Sequence, residues 1–390
     1  MVTIQEAFSI LKNNLPHPKI EELLLAKAKK QVLAEDVIAP ISMPPFRQSA
    51  MDGFALGLYD GLDYEIVGEI KAGDGHNVVL KAGQAVKIFT GAAVPDSATA
   101  VMQIEKVTVS GNKLKLEEHP TIEMNIRPMG EQNLKGAVVL QKGTVLNAAC
   151  IGFLAGIGLT HVKVFRKSKI GILVTGNELV KPGLPLEYGK IYESNSVMLE
   201  VALEEAFYDC TNTYNVNDNF ENTKDKIAKA LEENDVILIS GGISVGDYDF
   251  VAKALEALNV ETLFYKVKQK PGKPLFAGKL NDKMIFALPG NPAASLTCFY
   301  VYVLPSLQMI SGHELDYGQT FSKKLTHDFT VSNARNQFLK AHIQGDEVTV
   351  LTHQNSSMLN TFAISNGLMY VEDGGYELKE GDSVEVYVIK

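Results

Sequence analysis

The sequence predicts a multi-domain α/β protein: a central three-layer α/β domain with a mostly parallel sheet, a β-rich inserted domain and a small C-terminal β-barrel. Three observations carry this prediction. Between residues 169 and 314, short apolar runs alternate with helical segments, the rhythm of a parallel sheet covered on both faces. Between residues 46 and 140, short β-type runs are separated by glycine-containing turns. From residue 315 to 390 the helical periodicity fades and only short β runs remain. Residues 1–45 and 141–168 are then a helical, connecting domain.

Taken in order, Thr3 followed by Glu6 is the pattern of a capping box that opens a helix. Residues 20–37 are rich in Leu, Ala, Lys and Glu at near-helical spacing and predict a second helix. Pro40, Pro44 and Pro45 then impose an extended, ordered loop. Strands are expected at 64–70, 85–89, 100–109, 113–117 and 137–140, with a helix of small residues at 148–158. In the central domain, strands at 170–174, 211–216, 236–240, 262–267 and 284–288 alternate with helices at 196–206, 223–232 and 250–258, and a helix runs from 292 to about 310. Strands at 347–351, 368–371 and 383–389 finish the chain.

Composition narrows the function. The 390 residues are 46% apolar and carry 37 basic against 46 acidic side chains, a net charge of −9. Such a chain is a poor general binder of nucleic acid or of membrane surfaces. Its three cysteines are far apart, which fits neither a disulfide framework nor a structural zinc site. The N-terminus lacks a basic region followed by an apolar core, and no uninterrupted apolar run approaches the length of a membrane span. A cytoplasmic protein is expected.

Candidate chemistry concentrates between Ser240 and Pro292. S-G-G-I-S-V-G-D-Y-D (Ser240 to Asp249) follows a buried-strand pattern. There Gly241 and Gly242 expose backbone N–H groups suited to phosphate, and Asp247 and Asp249 offer oxygen ligands for Mg²⁺. Asp218, after the preceding strand, joins them if the strand ends converge. Lys266, Lys268, Lys270, Lys273 and Lys279 fall within fifteen residues that contain no acid. If 265–270 is extended, Lys266, Lys268 and Lys270 share one face. Lys270 and Lys273 bracket Pro271 and Gly272 in K-P-G-K-P, a rigid mount for two ammonium groups facing an anion. In P-G-N-P, which starts at Pro289, Asn291 suits a helix N-cap and Pro292 the first helical turn, so the N–H groups that follow would face an anion. T-G-N-E-L places Glu178 at a strand end, and turn-like motifs hold Asp52 beside Gly53 and Thr90 before Gly91. Ligands of open parallel sheets sit at the carboxyl ends of the strands, where these loops belong.

Six motifs in this order, S-A-M-D-G-F-A, F-T-G-A, T-G-N-E-L, S-G-G-I-S-V-G-D-Y-D, K-P-G-K-P and P-G-N-P, resemble the molybdopterin molybdenumtransferases, a family similar to the C-terminal domain of gephyrin. The resemblance implies an enzyme that cleaves adenylylated molybdopterin with the help of Mg²⁺, releases AMP, and inserts molybdate into the dithiolene to form molybdenum cofactor. It implies a homodimer, with a molybdopterin adenylyltransferase and molybdoenzyme-maturation proteins as further partners. Carried over by motif, Asp52 and Thr90 face the cleft from the opposing subunit. Glu178, Asp218 and Asp249 form its acidic side, with Asp249 and Asp218 on the metal. Lys266, Lys270 and Lys273 hold pyrophosphate or molybdate, and Ser240, Gly241, Gly242, Pro289, Asn291 and Pro292 line the substrate site. Arg335 and Ser356 match positions linked to molybdate. The chain departs from the family pattern at Gln132 and Asn177, each replacing an acid. It also has Lys340 for a second arginine and Ala294, whose methyl supplies no hydroxyl although Ser295 follows. Competing readings are a gephyrin-like, non-enzymatic scaffold and an adenylyltransferase of the related α/β type.

Overall fold

The computed structural model describes residues 1–75, 77–217, 219–243 and 250–389. The chain divides into two compact units: Glu22–Lys29 with Leu33–Lys163, and Met1–Glu21, Lys30–Val32 and Val164–Lys390.

The first of these is built on a six-stranded mixed sheet. Its strand order is Ala100–Gln103, Gly53–Leu56, Gln84–Ile88, Asp63–Ile70, Lys113–Leu116, Val107–Ser110. Both faces are covered: Ala55, Val86 and Val101 pack into one cluster, Phe54, Leu56 and Met102 into another. The expected strand at 100–109 is two strands, interrupted by a 3-10 turn at Ile104–Lys106. Gly53–Leu56, which gave no strand signal among the turn residues of its motif, is a central strand. A Cβ on Gly53 would lie 1.9 Å from the Met102 carbonyl oxygen, so only glycine fits that cross-strand approach.

The second unit holds the central domain. Cys210–Val216, Ile170–Thr175, Val236–Ser240 and Lys283–Leu288 are parallel neighbours, and the sheet continues with antiparallel Phe276–Leu280 and Glu261–Tyr265. Side chains alternate across it. Ile172, Val174, Leu238 and Phe286 face Leu199, Leu203 and Phe299, whereas Leu173, Ile237, Ile239 and Ile285 face Ile227, Leu231, Val251 and Leu255. These are the three layers the alternating rhythm predicts. The capping box at Thr3 and Glu6 is formed and opens the helix Ile4–Asn14.

Residues 20–37 correct an expectation. They hold the strand Ile20–Leu24, a 3-10 turn at Leu25–Lys27 and the start of a short strand at Val37–Ile38, with no α-helix. Helix propensity is a weak prior that tertiary pairing overrides, and Ile20–Leu24 has the period-two burial of a strand. Pro292–Ile310 is one helical rod with a π segment at Phe299–Val303. Among the described residues it is the one helix long and apolar enough to cross a membrane, and 72% of its most apolar window is buried inside the protein.

At the C-terminus five strands close on themselves: Asn336–Gln344, Glu347–Val350, Phe321–Leu325, Ser383–Val388 and Gly367–Val371, which pairs back to the first. Leu339, Ala341, Val348, Met369 and Val386 fill the barrel. Closure leaves no free edge among these five, but Asn336 and Gln337 also pair in parallel with Gln269 and Lys270. That graft ties the K-P-G-K-P loop to the barrel.

Candidate functional site: a cationic cleft

The graft creates a cleft of 590 Å³ between the K-P-G-K-P loop, the P-G-N-P turn and a loop of the barrel domain. Lys270, Lys273 and Arg335 line it, with Pro289, Asn291, Gln354, Asn355 and Ser356, and among the described residues none of the lining is acidic. Three cationic groups facing one space, with no carboxylate among the described lining residues, favour an anion of more than one negative charge. Six of the residues singled out in the sequence therefore meet here: Lys270, Lys273, Pro289, Asn291, Arg335 and Ser356.

The loop is held from beneath. Gln269 is fully buried, and its side-chain amide donates to the Pro271 carbonyl at 3.0 Å and to that of Gly272 at 3.4 Å. Its side-chain oxygen accepts from the buried Tyr302 hydroxyl. Burial pushes the Tyr302 and Cys298 pKa values up, so both stay protonated under the loop. Arg335 is anchored through Nη1, which donates to the Gln269 carbonyl at 3.4 Å.

Asn291 corrects a second expectation. It sits at the N-cap position, but its side chain makes no cap bond; Nδ2 donates instead to Ser356 Oγ at 2.9 Å. The Ala294 N–H is also taken, by the Ser356 carbonyl at 3.1 Å, so it does not face an anion. The turn thus serves as a hinge pin for the barrel loop. Ala294 lines the cleft, while Ser295 is fully buried and its hydroxyl does not replace the missing one.

The expected row of lysines on one face is broken. Lys266 has φ +69, which ends the strand at Tyr265, and its ammonium lies 4.6 Å from the centroid of the Tyr265 ring. Lys268 pairs with Asp373 at 2.6 Å. Neither lines the cleft. Ser240 is buried at its strand end and accepts from Asn195 Nδ2 at 2.8 Å; the same nitrogen donates to the Gly290 carbonyl at 2.8 Å. It latches the S-G-G turn to the P-G-N-P turn and is closed to solvent. Gly241 and Gly242 pack against Thr175, Glu178 is exposed, and Pro292 opens the helix, all outside the cleft lining. Asp218, Asp247 and Asp249 lie outside the described residues. Among the described residues no three His, Cys, Asp or Glu side chains gather to hold a metal.

Asp52 and Thr90 belong to the other unit, where they hold each other. The Thr90 N–H and hydroxyl both donate to Asp52 Oδ1 at 2.7 Å. Those two bonds, the backbone one first, keep the Asp52 carboxyl below its usual pKa. The stabilisation they give is present above the ordinary carboxylate pKa and is lost as pH falls through the depressed one.

Gln269, Gln354 and Asn355 went unpredicted. Gln269 had one available signal, its place beside a Pro-Gly turn that needs a donor beneath it. Gln354 and Asn355 had none, because what places them is hydrogen bonding to Lys340, fourteen and fifteen residues earlier on a barrel strand.

Fold and site together define a multi-domain α/β protein with a barrel-capped cleft suited to a small oxyanion. The chain matches the MoeA N-terminal region (domain I and II) over residues 2–158, a probable molybdopterin binding domain over 171–309, and the MoeA C-terminal region (domain IV) over 323–389. It is 33% identical to a molybdopterin molybdenumtransferase of Haemophilus influenzae, covering 99% of this chain and 98% of that one. It is 31% identical to one of Staphylococcus epidermidis, covering 99% and 95%. The solved molybdopterin biosynthesis moea protein from Pyrococcus horikosii superposes with a TM-score of 0.85 at 30% identity, covering 100% of this chain and 99% of that one. The chain belongs to the molybdopterin molybdenumtransferase family.

Proposed function

We propose that this protein cleaves adenylylated molybdopterin and inserts molybdate into the dithiolene. Water attacks one phosphorus of the anhydride, the bridging P–O bond breaks, and AMP leaves. The two dithiolene sulfurs then displace one oxide from molybdate, which takes up two protons from solvent and departs as water. The observation that carries this reading is the grouping of Lys270, Lys273 and Arg335 in one cleft, with no acid among its described lining residues. Molybdate is a dianion and must approach an anionic phosphate and dithiolene, so the repulsion has to be offset locally. At about 4 Å and an effective dielectric of about 20, one unit pair is worth roughly 4 kcal/mol before desolvation.

Mg²⁺ belongs to the reading through Asp218 and Asp249. The described residues supply no ligand cluster of their own, and no step is routed through the ion. A homodimer is also part of it, supported by apolar side chains about half exposed near and along the helix Asn195–Glu205: Leu184 (54%), Ile191 (55%), Val197 (53%) and Val201 (49%). The sedimenting mass at micromolar concentration tests the dimer, and a monomer counts against it.

The decisive assay incubates the full chain with adenylylated molybdopterin, Mg²⁺ and molybdate. AMP and active cofactor should appear together, and the cofactor only when molybdate is supplied. Formation of the adenylate from ATP and molybdopterin would favour an adenylyltransferase instead. Neither product, from a folded protein that pulls down a peptide partner, would favour a scaffold.

A further inference from the structure

Lys340 stands on the barrel strand Asn336–Gln344 and is 4% exposed. Its ammonium donates to the carbonyls of His353 at 3.0 Å, Asn355 at 3.1 Å and Met358 at 3.2 Å. An ammonium has three N–H groups, and these three carbonyls take all of them. The same residue holds the loop through its backbone: the Lys340 N–H donates to Gln354 Oε1 at 2.9 Å, and Gln354 Nε2 returns to the Lys340 carbonyl at 2.8 Å. Gln354 Nε2 also donates to the Leu351 carbonyl at 2.8 Å.

We propose that Lys340 is a positioning residue for oxyanion binding: its ammonium clamps the 353–358 loop so that Asn355 and Ser356 form a fixed wall of the cleft. Residues 351–357 lie in neither helix nor strand, and His353 adopts φ +61, so the loop has little regular structure to hold it. What it delivers is specific. Asn355 and Ser356 line the cleft, and Ser356 receives the Asn291 side chain and the Ala294 N–H. No carboxylate among the described residues pairs with Lys340, and burial pushes its pKa down. A buried charge balanced only by carbonyl dipoles is costly to a fold, and an apolar replacement is often neutral or better. Retaining it makes physical sense where loop geometry is what must be kept.

The inference rests on the reading of the cleft as a molybdate site. Lys340→Met in the full chain should weaken molybdate binding by about tenfold or more in calorimetric titration. Affinity for adenylylated molybdopterin should stay within about threefold of wild type, a split that general destabilisation does not produce. Amide exchange should quicken over residues 353–358 and not in the strand Asn336–Gln344. Lys340→Arg, which keeps charge and donors, should restore both properties. If Lys340→Met does not fold, Lys340→Gln, which keeps a polar head with two N–H donors but no charge, is judged by the same two measurements. Wild-type molybdate affinity in the folded variant, whether or not loop exchange changes, overturns the proposal. Failure of the wild-type protein itself to bind molybdate strikes the proposed function, and unchanged loop exchange in the variant then still rejects the clamp.

Discussion

Lys270→Ala combined with Lys273→Ala should weaken molybdate binding at least about thirty-fold while leaving the thermal midpoint within a few degrees of wild type. Both side chains are exposed, both line the cleft, and among the described residues neither is held in an ion pair. The fold therefore loses little without them. An oxyanion between them loses two of three cationic neighbours. The ideal pair energy of roughly 4 kcal/mol has to be discounted for solvent screening at such exposed groups, leaving about 1–2 kcal/mol each. Together that is a weakening of about thirty-fold to a thousand-fold. Calorimetric titration with molybdate reads it directly. Each single variant should lose about tenfold, and the losses should shrink as salt is raised. Unchanged affinity in the double variant would remove these lysines from the site.

Gly272→Ala should damage both stability and binding. Gly272 has φ +87, a conformation costly for any residue with a Cβ. An added Cβ would lie 2.5 Å from Cys298 Sγ and 2.8 Å from Gln269 Nε2. Both neighbours are fully buried and cannot yield. Backbone strain and overpacking together predict a loss of about 2–5 kcal/mol, or a fall in Tm of roughly 5–15 °C. Because Gln269 also fixes the loop through its amide, the lysines should lose their register and molybdate binding should fall. Cys298→Ala in the Gly272→Ala background removes the closest clash and should return part of the stability. An alanine variant as stable as wild type would mean the loop relaxes freely, against the account of a rigid mount.

The alternation of apolar runs and helices made the three-layer domain legible, because buried parallel strands leave continuous apolar stretches such as V-I-L-I-S. The glycines and prolines of K-P-G-K-P and P-G-N-P marked the loops for the same local reason. Residues 20–37 misled because composition records propensity, while the strand there follows from tertiary pairing. The lysine row failed at Lys266, whose positive φ no local signal announces. Asn291 reads locally as a cap, yet it spends its side chain on Ser356, sixty-five residues away. Lys340 reads as a residue that keeps the charge of the arginine it replaces and loses its planar fork. Its role comes from three carbonyls of a loop thirteen to eighteen residues further on. Long-range hydrogen bonds of this kind have no periodicity for a sequence to display.

Lys270, Lys273, Arg335, Asn291 and Ser356 bring ammonium, guanidinium, amide and hydroxyl groups around one small volume open to an incoming metal oxyanion. A crystal of the full chain soaked in molybdate, measured for anomalous scattering from molybdenum, examines that volume directly. A peak is expected among Lys270, Lys273, Arg335 and Ser356, vanishing in the double lysine variant. A well-occupied peak elsewhere, with none among those four side chains, would contradict the account.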